Sequence, residues 1–100
     1  LHDKFSVFAT SPEDGWRITM VAYNQGPGNL NKQSSDGAGA AQRLHGAAER
    51  LNLGMDKAQW IGKIPYSALT PASATKHHVE MTVGSTGPIG GYASQFQNDF

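Results

Sequence analysis

The stretch from Ser11 to Gly28 leaves the backbone few choices, because a helix-start signal opens it and a helix-stop signal closes it. Ser11 stands where an N-cap hydroxyl is needed, and Pro12 takes the first helical position, where its missing N–H costs nothing. Glu13 and Asp14 then face the positive end of the helix dipole. At the other end, Gly26-Pro27-Gly28 combines a residue free to adopt positive φ with one that blocks continuation. A helix from Pro12 to about Gln25 is therefore predicted. Trp16, Met20 and Tyr23 recur along it at helical spacing, and Ile18, Val21 and Ala22 widen the apolar surface, so burial on more than one side is expected.

The remaining segments read as shorter helices between Gly-rich connections. Asn29 to Gly39 is polar and reads as a loop or a short frayed helix. A second helix is predicted from about Ala38 to Leu53, with Ala40, Leu44, Ala47, Ala48 and Leu51 on one stripe. Asp36 is its candidate cap and Gly54 its stop. Asp56-Lys57-Ala58-Gln59 has capping-box spacing and opens a short helical turn that presents Trp60 and Ile61. Pro65 forces Ile64 out of the α region, so Ile64-Pro65-Tyr66 is extended. Thr70-Pro71 repeats the cap-plus-proline start and launches a helix over 71 to about 83. Gly84 to Gly91 is a loop, and Tyr92 to Phe100 adds a last helical turn or two. Strand-type alternation is nowhere sustained. The fold class is mainly α, with long Gly-rich loops.

Composition excludes several functions. A chain of 100 residues holds one small domain, and 12 Gly with only 38% hydrophobic residues leaves a thin core. The chain is accordingly expected to need a partner chain or a further segment to fold. A formal net charge of zero offers no basic surplus to release counterions, so no nucleic-acid partner is expected. No cysteine is present, which removes disulfides, thiolate nucleophiles and Cys-ligated zinc. No apolar run approaches the ~18 residues of a membrane span. The opening Leu1-His2-Asp3-Lys4-Phe5 carries no signal-peptide pattern and no initiator Met, as in a processed chain or a fragment.

One motif stands apart. Ala22, Tyr23, Asn24, Gly26, Pro27 and Gly28 resemble the Ala-Tyr-Asn-Ala-Gly-Pro-Gly signature of lytic transglycosylases with a lysozyme-like domain, with Gln25 in place of Ala. Ser11-Pro12-Glu13-Asp14 is similar to the start of that family's helix. Ile64-Pro65-Tyr66, Thr75 and Val79 are similar to the later part of the same domain, over roughly residues 10 to 83. The resemblance implies the C-terminal helical part of a lysozyme-like domain, and a peptidoglycan glycan strand as substrate. It implies cleavage of the β-1,4 bond between N-acetylmuramic acid and N-acetylglucosamine, in a bacterial envelope or periplasm or on a phage virion. It also implies substrate contacts at Tyr23, Asn24, Gly26, Tyr66 and His78, where the family usually has Tyr in place of His78. Tyr and Asn suit this task, since a sugar is held by flat apolar faces and directional polar groups. A glycine beside them lets a sugar approach the main chain.

The family's catalytic Glu lies in a Glu-Ser motif followed by Gly-Leu-Met-Gln, and neither motif occurs here. No catalytic acid is therefore identified in this chain. Tyr23 is a candidate support for an acid supplied by another segment or chain, and the chain alone is expected to be inactive. The plainer reading makes Tyr23 a core aromatic and Asn24-Gln25-Gly26 a simple helix end. Glu13 reads as dipole compensation and Trp60 as a core anchor or a sugar-stacking platform. Glu80 and His77 read as an exposed pair. Adjacent His77 and His78 point ~100° apart on a helix and do not clasp one metal. No metal and no cofactor is expected. A glycan-binding module without catalysis, or a structural component of a phage particle or envelope assembly, remains the alternative.

Overall fold

The structure, a computed structural model, describes residues 1–83. The loop expected over Gly84 to Gly91 and the tail over Tyr92 to Phe100 lie outside the described residues. The chain is mainly helical, with α1 over His2–Ser6, α2 over Pro12–Gln25, α3 over Gly39–Arg50 and α4 over Ser73–Val83. Two 3-10 turns, Lys57–Trp60 and Tyr66–Leu69, carry the chain between α3 and α4. No helix among the described residues is long and apolar enough to cross a membrane.

Helix α2 is the hub, packed against α1, α3 and α4. Its start follows from the sequence: the Ser11 hydroxyl accepts the Asp14 N–H at 3.1 Å, with Pro12 in the first turn. Glu13 and Asp14 lie in the first turn and pair with Arg17 at 3.8 and 2.7 Å. Ile18, Thr19, Met20, Val21 and Ala22 are buried, whereas Tyr23 is 62% exposed. The buried face therefore turns away from Tyr23, and the plain reading of it as a core aromatic is corrected. The Thr19 hydroxyl inside that face is satisfied by the Gly15 carbonyl at 2.7 Å.

Trp60 closes the core. It is wholly buried, its Nε1 donates to the Gly54 carbonyl at 2.9 Å, and Phe8 and His45 meet it edge-on. It is an anchor and not a sugar platform. Ile61, beside it, is exposed. Asp56 caps this 3-10 turn through the Ala58 N–H at 3.1 Å. Tyr66 opens the second 3-10 turn and is not extended, whereas Ile64 is, as expected, and pairs with Ala9 in an isolated parallel bridge. The Ile64 N–H donates to the Phe8 carbonyl at 2.9 Å. Each large side chain buried here is worth about 1.5–3 kcal/mol.

Three helix boundaries differ from expectation. Asp36 does not cap α3; the N-cap is Ala38, and no side chain takes part. The Gly26 and Pro27 carbonyls cap it instead, accepting the Ala40 and Ala41 N–H groups at 2.8 and 2.9 Å. The second difference is that α3 stops at Arg50, not Leu53. Asn52 takes φ of 58°, and the Leu53 N–H closes on the Ala48 carbonyl at 2.9 Å while the Asn52 N–H meets Glu49. This is a Schellman ending with Asn at the left-handed position, reached before Gly54. Leu51 therefore leaves the apolar stripe and is 39% exposed. Finally, Thr70 is no N-cap: it adopts φ of 44° at the end of the second 3-10 turn, and α4 begins at Ser73.

Candidate functional site

The end of α2 is where the sequence-singled residues gather. Gly26 takes φ of 88° and ψ of 154°, a region essentially reserved for glycine. That bend swings the Gly26 and Pro27 carbonyls onto the start of α3. The approach is close: a Cβ on Gly28 would overlap the Ala38 carbonyl, and one on Gly39 would overlap the Gly26 carbonyl. The Gly-Pro-Gly part of the motif thus joins two helices through main chain. Around Gly26 itself a Cβ would meet open space.

The Asn24 and Gln25 side chains point to α4 instead. The Gln25 Nε2 donates to the Thr75 hydroxyl at 2.9 Å, and that hydroxyl donates to Asn24 Oδ1 at 2.6 Å. On the α3 side, Arg43 Nε donates to Gln25 Oε1 at 3.4 Å. The direction of this relay is set by its first member. A guanidinium has only donors, so Gln25 must turn its oxygen to Arg43 and its NH2 to Thr75. Thr75 then accepts from Gln25 and spends its proton on Asn24, which must present Oδ1. What Asn24 has left to offer outward is its NH2, a double donor suited to a carbonyl such as that of an acetamido group. The expectation that one Asn amide would donate and accept alike narrows to donation.

Gln25, the one departure from the resembling motif, is the member that ties Arg43 to Thr75. An Ala there would leave both amide directions open. Arg43 and this relay were not legible in the sequence, since no local pattern tells which helix faces the end of α2.

Among the other expected site residues, Tyr23 is exposed beside Asn24. His78 is exposed on α4, three residues after Thr75 and hence within one turn of it. Tyr66 is half-buried and packed on the core. Its N–H donates to Asp14 Oδ2 at 3.0 Å, while its hydroxyl is buried without a hydrogen-bond partner among the described residues. Burial pushes the Tyr66 phenol up, the Glu80 and Asp14 carboxylates add to that, and Arg17 opposes them. No described Asp or Glu is fully buried; Asp14, half-buried, is already engaged by Arg17 and Tyr66. His77 and Glu80 are both exposed with no ion pair between them, and no group of three metal-ligating side chains occurs among the described residues.

No protein-family model, curated protein or solved structure matches this chain. The resemblance to lytic transglycosylases accordingly stands on the motif residues alone.

Proposed function

We propose that the end of α2 and the adjoining face of α4 form a saccharide-binding wall, part of a peptidoglycan lytic transglycosylase of the bacterial envelope or a phage virion. The catalytic Glu is supplied by a segment or chain beyond these residues. The observation that carries the reading is the Asn24–Thr75–Gln25 relay. It links two stretches, 51 residues apart at Asn24 and Thr75, that the resemblance had singled out separately. A polar relay at a helix end does not by itself call for a ligand. Here it commits only the Oδ1 of the exposed Asn24 and leaves its NH2 to donate, with the exposed Tyr23 next to it in sequence. The reaction needs a carboxylic acid held protonated near neutral pH, which burial achieves. The described carboxylates are exposed or already engaged, so this chain contributes binding and positioning.

That same lack of a buried described carboxylate favours a second reading, a glycan-binding module that does not cleave. One pair of measurements separates them. Chitooligosaccharide titration is expected to give saturable binding that Asn24→Ala weakens by about 1–3 kcal/mol, the cost of an unmade hydrogen bond in a desolvated site. Equal affinity of wild type and Asn24→Ala would remove the saccharide wall. A peptidoglycan turbidity assay should show no clearing by this chain alone, and clearing once a segment bearing the family's Glu is added. Clearing that is abolished by replacing an acidic residue of this chain would contradict the assignment of the acid to another segment.

A further inference from the structure

A cavity of about 310 Å³ lies on the outer side of α3, lined among others by Asp36, Arg43, Gly46, Glu49, Arg50 and Thr70. Two guanidiniums sit along it at i and i+7, on the same side of the helix. Each is pinned by neutral oxygens: Arg43 donates to the Thr70 carbonyl at 3.0 Å, and Arg50 to the Ala68 carbonyl and, at 3.4 Å, to the Thr70 hydroxyl. Gly46 makes room for this, since a Cβ there would stand 3.3 Å from an Arg50 nitrogen. Neither Arg43 nor Arg50 has an ion-pair partner among the described residues. Asp36 and Glu49 line the same cavity and are equally unpaired.

Carbonyl anchors orient a guanidinium without neutralising it, and an oriented, unneutralised guanidinium is an efficient carboxylate receptor. The two carboxylates in the same cavity bring its formal charge to zero. A phosphate dianion is disfavoured there, and a ligand with one carboxylate and one ammonium is matched. We infer that this groove binds a short zwitterionic peptide, its carboxylate on Arg43 and Arg50 and its ammonium on Asp36 and Glu49. Arg43 also holds Gln25, so the groove adjoins the Asn24 wall. The peptide site does not rest on the proposed function.

The test is calorimetric titration of the full chain with a free alanyl-alanine dipeptide, its C-terminal amide, its N-acetyl derivative and inorganic phosphate. The free dipeptide is expected to bind saturably. The amide and the acetyl form should each lose about tenfold or more, because each removes one charge-assisted contact. Arg50→Gln should lose as much while leaving chitooligosaccharide affinity unchanged. Absent binding, equal binding of the free and amidated peptides, or phosphate binding tighter than the dipeptide would each overturn the inference. Dipeptide binding without chitooligosaccharide binding would leave the groove standing and remove the saccharide wall. The converse result would remove the groove alone.

Discussion

At its C-terminal end α2 meets α3 through main chain and α4 through side chains. The α3 junction consists of the Gly26 and Pro27 carbonyls received by the first N–H groups of α3, with Gly28 and Gly39 allowing the approach. The α4 junction consists of Asn24 and Gln25 amides on one threonine hydroxyl. Main-chain bonds at glycines admit no side-chain variation and no exchange with a ligand. Side-chain amides near the surface keep valences to spare. The first junction fixes the helix pair, and the second holds groups that can serve a partner.

The largest effects should come from the main-chain junction. Gly28→Ala and Gly39→Ala each combine a positive-φ penalty with overlap on a carbonyl, and are expected to destabilise by about 2–4 kcal/mol. Gly26→Ala carries the conformational cost without the overlap and should fall nearer about 1–3 kcal/mol. Thermal unfolding followed by circular dichroism ranks the three. Equal losses at all three positions would show that steric contact at this junction is unimportant.

Changes at the side-chain junction should be milder for folding and stronger for binding. Gln25→Ala, which brings in the residue of the resembling motif, removes the link between Arg43 and Thr75. It should cost about 0.5–1.5 kcal/mol in stability, the range of an ordinary hydrogen bond. It should also weaken saccharide binding by letting Asn24 present either amide face. Unaltered affinity in Gln25→Ala would mean that the relay does not set the Asn24 orientation.

A smaller effect is expected from pH, and at the α3 junction ahead of the α4 one. His45 is 1% exposed against Trp60, with neither ring nitrogen hydrogen-bonded among the described residues. Burial lowers its pKa, Lys57 lowers it further, and Glu49 opposes. The unfolded chain takes up a proton near pH 6.5 that the folded chain refuses. Stability is therefore full above that pH and declines as pH falls toward the depressed folded value. Hydrogen exchange between pH 7 and 5 should show α3 amides losing protection ahead of those of α4, and His45→Leu should flatten the profile.

Signals local in the chain were legible. Ser11-Pro12 and Gly26-Pro27 bracket α2 where the structure has it, because caps and proline act on their immediate neighbours. The mainly helical class followed from the same periodicity. Asp36 misled because α3 is capped by carbonyls brought from a segment distant in sequence, which no local pattern reveals. Gly54 misled because Asn52 could already take the left-handed turn. Tyr23 counted as apolar by spacing, yet its helix turns another face inward. At the site, Asn24 and Thr75 were each marked, while their contact and the roles of Gln25 and Arg43 required the packing of three helices.

In the proposed function the side-chain junction, and not the main-chain one, receives a saccharide. Amide-resolved NMR of the full chain during N-acetylglucosamine oligomer titration tests it most directly. Saturating shifts are expected at Tyr23, the Asn24 and Gln25 side-chain NH2 groups, Thr75 and His78, with Gly28, Gly39 and Ala40 little moved. Shifts confined to the Gly28–Ala40 junction, or none at Asn24 and Thr75 at saturating oligomer, would contradict the proposed function.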